Sequence, residues 1–401
     1  MGEAGSRAWA DLWTLDPDIE FLNHGSFGAC PRAVLAEQGR WRERMEHEPV
    51  TFFVRDLEGL LDAARARVAS FVGADPDDLA FVPNATAGVN TVLRSLAFTP
   101  DDELLTTDHE YNASKNALDY VAWRWGAKVV VAALPFPLRS ADEVVAAILA
   151  QVTPRTRLAL VDHVTSPTGL VLPIAHIVRE LAAKGIDTLV DGAHGPGMVP
   201  LDLTALGAAY YTGNGHKWLC APKGAAILHV RRDKQEGLRP IAISHGANSA
   251  RRDRSRFRLE FDWAGTDDPT AWLCLPAAID YLGSLLPGGW TELMAANRLK
   301  ALAARRVLCE ALAIDLPAPD EMIGTLAALP LPAGDAPAAA TPLATDPLQD
   351  ALYFEHRIEV PVMTWPRAPH RLIRISAQLY NRPEQYVRLG EALRQRLGIV
   401  G

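Results

Sequence analysis

The sequence predicts an α/β protein, with a mainly parallel sheet covered by helices on both faces and a smaller α+β unit at the C-terminus. Three observations carry this. From about residue 60 to 240, short β-branched runs alternate with Ala-, Leu- and Arg-rich helical stretches. The runs are apolar throughout instead of alternating, as strands covered on both faces are. Asn84, His109, His163 and Asp191 fall just past the ends of such runs, where open α/β sheets bind their ligands.

In chain order, residues 1–20 form an N-terminal arm, and residues 21–268 form the large domain. Glu58–Phe71 reads as its first helix and Leu79–Val82 as its first strand. The helix Thr86–Ala97 follows, then the strands Glu103–Thr107 and Lys128–Ala132. Next come the helix Ala141–Gln151, the strand Arg157–Asp162, the helix Ile174–Ala183 and the strands Asp187–Val190 and Ala225–Val230. A break at Asp267-Asp268-Pro269 opens the small domain, 269–401, with helices over Thr270–Ala313. The Ala- and Pro-rich stretch Leu316–Pro347 contains the strand-like Met322–Ala328, and Pro332–Pro347 reads as a mobile surface loop. The helix Leu348–His356 and the strands Ile358–Val362 and Leu372–Ser376 complete this unit.

A net charge of −8 over 401 residues offers no general attraction to nucleic acid or anionic membranes. No apolar run reaches the roughly 18 residues a membrane span needs. Cys30, Cys220, Cys274 and Cys309 form no CxxC pair, which argues against a zinc site or disulfide framework and for a reducing cytoplasm. The run Arg251–Arg258 is the most basic patch; in an acidic chain it reads as a solvated loop or subunit interface.

The chemistry concentrates in Val190-Asp191-Gly192-Ala193-His194 and Gly213-Asn214-Gly215-His216-Lys217-Trp218. An acid at the end of an apolar strand, then a lysine in a Gly-rich turn 26 residues later, is what pyridoxal phosphate (PLP) requires. The lysine forms a Schiff base with the aldehyde, and the carboxylate keeps the pyridine nitrogen protonated. A surface lysine would need no such neighbours, and an unpaired buried carboxylate is expensive unless it meets a cation or caps a turn. Lys217 and Asp191 are therefore the catalytic candidates, with His194 approaching the ring hydroxyl.

Asn84-Ala85-Thr86-Ala87-Gly88 joins a strand to a helix. Backbone N–H groups at Ala85 and Thr86, with the Thr86 hydroxyl, suit a phosphate at a helix N-terminus; an ordinary helix cap is the plainer alternative. Asn214 and His216 stand ready to donate to the same phosphate. His109, with Tyr111 in reserve, offers a flat ring to stack on a pyridine face. Arg374, within Leu372–Ser376, is placed to clamp a substrate carboxylate.

With these residues in hand, the chain resembles the class V aminotransferase family of fold-type I PLP enzymes, and within it the isopenicillin N epimerase-like proteins. The supporting segments are Phe21–Gly28, Asn84–Thr86, Asp108–Tyr111, His163–Gly169, Asp191–His194, Gly215–Trp218, Gly265–Asp268 and Arg374–Ser376. The resemblance implies a seven-stranded sheet and a homodimer with a shared active site, in which Thr266 reaches the partner's cofactor phosphate. It implies that Asn23 and His24 line the substrate pocket. Ser166 stands where many relatives carry an asparagine. Related cysteine desulfurases carry a nucleophilic cysteine shortly before the carboxylate-binding arginine, and none lies between Glu310 and Arg374. The expected activity is epimerisation or racemisation of an amino acid, with His24, His109 or Tyr111 as second acid. A C–S lyase and an aminotransferase are the alternatives; a non-catalytic PLP-fold binding module is opposed by the presence of both Lys217 and Asp191.

Overall fold

The computed structural model describes residues 9–334 and 344–399. Its centre is a seven-stranded sheet: β1 (Leu79–Val82), β2 (Glu103–Thr107), β3 (Lys128–Ala132), β4 (Thr156–Asp162), β5 (Asp187–Asp191), β6 (Tyr210–Asn214) and β7 (Ala226–Val230). Their spatial order is β1-β7-β6-β5-β4-β2-β3. Only β7 opposes its neighbours; the other six run parallel. This is the α/β, fold-type I architecture. β1, β2, β6 and β7 are buried along their whole length, which explains their predominantly apolar or small residues, with Glu103, Asn214 and His229 as buried polar exceptions.

The principal helices are α1 (Arg32–His47), α2 (Leu57–Val72), α3 (Ala85–Ser95), α4 (Asn112–Trp125), α5 (Ala141–Leu149), α6 (Ile174–Ala182), α7 (Gly289–Leu312), α8 (Pro347–His356) and α9 (Pro383–Leu397). In α6 the spacing of Ile174, Ile177, Val178 and Leu181 places all four on the buried face. Each contributes roughly 1.5–3 kcal/mol of apolar burial. Gly73 and Gly126 end α2 and α4 in the left-handed conformation.

The C-terminal region builds an antiparallel sheet of β8 (Leu326–Leu331), β9 (Val362–Thr364) and β10 (Arg371–Ser376), in the order β9-β10-β8. Glu20–Phe21 pairs in parallel with Ile358–Glu359, so the end of the N-terminal arm is stitched to this region. We propose a domain boundary near residue 268, with that arm packed on the smaller unit.

Several elements differ from the sequence expectation. β6 was expected as a Gly-rich turn because Gly213 and Asn214 are turn residues. It is a strand, and Gly213 is required there because a Cβ would meet Pro196 Cγ at 2.7 Å. The expected strand Ile358–Val362 is split, with Val360 and Pro361 between two pairings. The basic run folds back on its own chain: Arg251 meets Glu58 at 2.6 Å, Arg254 meets Asp62 at 2.5 Å and Arg258 meets Asp77 at 2.8 Å. It is a clasp onto α2 and the turn after it, not a free patch. Of the expected loop Pro332–Pro347, residues 335–343 lie outside the described residues, as do residues 1–8 of the arm.

Gly28 sits at φ +68°, and a Cβ there would meet the His216 carbonyl oxygen at 2.1 Å. Gly28→Ala is expected to cost roughly 1–3 kcal/mol or more and to displace the turn that carries Lys217. A thermal melt indistinguishable from wild type would contradict this contact.

Candidate active site

The carboxyl ends of adjacent strands bring the sequence-predicted residues together. Asp162, Asp191 and Asn214 are the last residues of β4, β5 and β6, and His109 lies two residues beyond β2. Lys217 follows β6 in the turn before β7. Arg374 comes from β10 of the small sheet.

Asp191 is buried. Its Oδ2 accepts from the Ser114 hydroxyl at 2.7 Å and its Oδ1 from the Ala193 amide at 3.1 Å. Burial raises its pKa, opposed by these two hydrogen bonds and by Lys217. Among the described residues no lysine or arginine forms an ion pair with it. A pyridinium nitrogen would supply the missing cation.

Glu110 and Asp162 lie behind it, each with a carboxylate oxygen within 4.8 Å of the others and of Asp191. Glu110 Oε2 and Asp162 Oδ2 have no hydrogen-bond partner among the described residues. Burial, then the neighbouring negative charges, push both well above the usual carboxylate range. Burial and mutual repulsion thus favour the protonated forms of Glu110 and Asp162, while the Ser114 and Ala193 hydrogen bonds and Lys217 favour the charged form of Asp191. For acids with raised folded pKa values, stability falls as pH rises past the unfolded value. Asp162→Asn mimics the protonated state, so its Tm at pH 8 is expected to equal or exceed that of wild type. A large loss of Tm at pH 8 would show that Asp162 is needed as a charge.

Lys217 Nζ lies 3.1 Å from His194 Nε2, and the Trp218 indole donates to His194 Nδ1 at 3.2 Å. Desolvation, then the Arg374 charge, lower Lys217 to about 7, so a substantial fraction is free amine at neutral pH. Burial also holds His194 well below the usual histidine range.

Arg374 is buried and still cationic, lowered to about 10 by desolvation. It donates to the Ser166 carbonyl and hydroxyl and, at 3.1 Å, to the Ser26 hydroxyl. Its Nε has no partner among the described residues. Ser26 donates in turn to Asn23 Oδ1 at 2.5 Å, and Asn23 Nδ2 donates to Glu359 at 2.9 Å. Asn23 thus acts on the site through Ser26 and Arg374. Ser166 braces the guanidinium.

His24 has both ring nitrogens engaged. Nε2 donates to the Lys217 carbonyl at 3.0 Å, and Nδ1 accepts from the Tyr380 hydroxyl at 2.7 Å. It anchors the lysine turn and leaves no nitrogen free for substrate. His109 is fully buried. Its Nδ1 pairs with Thr168 at 2.8 Å, its ring meets Trp365 edge-to-face at 4.6 Å, and Nε2 has no hydrogen-bond partner among the described residues. Tyr111, at the start of α4, is exposed.

At the other end of the site, Asn84 Oδ1 accepts from the Ala87 amide and Asn214 Oδ1 from the Ala85 amide, both at 2.8 Å. Asn84 is therefore a helix cap, and the Ala85 amide is already used. The Thr86 amide and hydroxyl, and Asn214 Nδ2, remain for a phosphate. The His216 Nδ1 donates to the Ala225 carbonyl at 3.2 Å; burial lowers its pKa to about 4, so Nε2 must gain a proton before it can donate. Thr266 lies on the exposed stretch 264–268. An anion lacking a cation, a largely uncharged amine and open helix N-terminal donors fit the pyridine nitrogen, aldehyde and phosphate of PLP.

Sequence reasoning missed Glu110, Ser114, Asp162, Ser26, Glu359 and Tyr380. The pairing of Asp162 opposite Asp191 was recoverable by registering β4 against β5. Ser114 lies on α4, a helix not anticipated.

The Aminotransferase class-V profile matches residues 42–389. Isopenicillin N epimerase of Amycolatopsis lactamdurans is 38% identical over 97% of this chain and 99% of its own. A probable chloroplastic L-cysteine desulfhydrase of Arabidopsis thaliana is 30% identical over 94% of this chain and 83% of its own. Among solved structures, the cystine C–S lyase C-DES in complex with cysteine persulfide superposes with a TM-score of 0.75 at 22% identity, covering 94% of this chain and 97% of that one. The chain belongs to the class V aminotransferase family of PLP-dependent enzymes.

Proposed function

We propose that this protein inverts the α-carbon of an amino acid or amino-acid-derived substrate. The observation that carries the proposal is the 38% identity to an isopenicillin N epimerase across nearly the whole of both chains. Bound PLP supplies an aldehyde for the substrate amine and a ring that accepts the electron pair left at the α-carbon. Arg374 holds the substrate carboxylate through its unpartnered Nε and remaining Nη donors, and so orients the α-carbon. Lys217 Nζ, with its lowered pKa, takes the α-proton as general base. Asp191 would hold a proton at the pyridine nitrogen, its charged form favoured by the Ser114 hydroxyl and the Ala193 amide. Epimerisation needs a proton returned from the opposite face. With His24 committed to the Lys217 backbone, His109 and Tyr111 are the groups for this role.

We also propose a cytoplasmic homodimer. The four cysteines are buried free thiols, in keeping with a reducing compartment, and Thr266 sits on an exposed turn from which it would reach the partner's cofactor phosphate. No helix among the described residues is long and apolar enough to cross a membrane.

The second reading is C–S elimination, favoured by the 30% identity to a desulfhydrase. It would proceed without an enzyme persulfide, since no cysteine lies between Glu310 and Arg374. The test is a panel of amino acids, cysteine conjugates and their sulfoxides, incubated with PLP-loaded protein in deuterated water and read by chiral chromatography and mass spectrometry. Inverted, α-deuterated substrate without net loss supports epimerisation. Pyruvate formation replaces it with elimination, and keto-acid-dependent amine transfer with transamination.

A further inference from the structure

We propose that Trp218 is a positioning residue that fixes the proton of His194 on Nε2 and thereby presents Lys217 as a free amine. The inference rests on Lys217 being the reactive amine of the proposed function. It goes further, because it assigns a task to an indole that no part of that chemistry requires.

The argument follows from donor and acceptor inventories. An indole N–H donates and never accepts. It points at His194 Nδ1 across 3.2 Å, so Nδ1 must present its lone pair. A neutral imidazole then carries its hydrogen on Nε2. That Nε2–H faces Lys217 Nζ at 3.1 Å, where only the lone pair of an uncharged amine can accept it. The reverse arrangement fails: an ammonium donating to Nε2 would force the hydrogen onto Nδ1, against the indole N–H. The chain of bonds therefore runs one way, from Trp218 through His194 to Lys217.

The surroundings hold it in place. Trp218 is 1% exposed and His194 is equally buried. The His24 ring packs against the Trp218 ring at 4.8 Å. The charged and titratable groups around His194 are Lys217, Arg374, His216 and His24, all of which disfavour an imidazolium. Those around Lys217 are Arg374, Asp191 and Asp162; Arg374 favours the free amine and the two acids oppose it. The imidazole tautomer adds a local, directional preference that these longer-range charges do not supply.

The experiment uses cofactor-free protein with ¹⁵N-labelled histidine and ¹³C-labelled lysine. Two-bond ¹⁵N–¹H correlations report the His194 tautomer, assigned by loss of its signals in His194→Gln. The Lys217 Cε shift, followed against pH, reports its titration. Wild type is expected to show His194 with hydrogen on Nε2. In Trp218→Phe, the preference for Nε2 is expected to be lost and the Lys217 titration to move upward by roughly one pH unit or more. Hydrogen on Nδ1 in wild type overturns the proposal, even if the variant fails to fold. So does a folded Trp218→Phe whose tautomer and lysine titration match wild type. Because the readout needs no PLP, it stands apart from the cofactor assignment, which fails separately if added PLP gives wild-type protein no visible absorbance band.

Discussion

Replacing Lys217 by alanine is expected to abolish covalent attachment of PLP and to lower kcat by at least the roughly 10²- to 10⁴-fold that a positioned general base contributes. The fold should survive and gain stability. Burial lowers Lys217 from the ordinary 10.5 to about 7, so between these values the unfolded chain holds a proton that the folded chain has released. Stability therefore rises with pH across that window. The lysine costs the fold most below about pH 7, on the order of a few kcal/mol. In Lys217→Ala both the cost and this part of the pH dependence disappear. Melts from pH 6 to 10, paired with the visible spectrum after PLP loading, check both halves. Retained turnover would remove Lys217 from the chemistry. A Tm far below wild type at pH 6 would show that its contacts outweigh its desolvation.

The second large effect concerns substrate, not cofactor. Arg374→Ala is expected to raise KM for an α-amino acid roughly 10²- to 10⁴-fold, through loss of two charge-assisted hydrogen bonds of about 1.5–3 kcal/mol each. PLP affinity should change only a few-fold. Arg374→Lys should recover little, because a point charge cannot satisfy Ser26, Ser166 and a carboxylate together as the planar fork does. Parallel titrations with PLP and with substrate separate the outcomes. Equal loss of both affinities would make Arg374 part of the scaffold joining Ser166 of the large sheet region to β10.

The parts of the site legible in the sequence are those whose chemistry is local. Asp191 and Lys217 announce themselves because a charge ends an apolar strand and a lysine stands in a glycine-rich turn. The parallel sheet was legible because strands buried on both faces must be apolar throughout. What escaped depends on contacts between segments far apart in the chain. His24 looked like a substrate ligand from its place in Asn23-His24-Gly25, yet the fold brings it beneath Lys217, where Tyr380 and a backbone carbonyl consume both nitrogens. Asn23 likewise reaches the site only through Ser26. β6 was hidden because the glycine that permits close approach to Pro196 also reads as a turn. The clustering of Glu110 and Asp162 with Asp191 was invisible until the fold put three acids together at the carboxyl ends of the strands.

The most direct test of the account is to load the protein with PLP, reduce it with borohydride and map the modified peptide by mass spectrometry. The account predicts one reduced cofactor adduct per chain, on Lys217. An adduct on any other lysine, or none despite a visible cofactor band, would contradict the assignment on which the proposed chemistry rests.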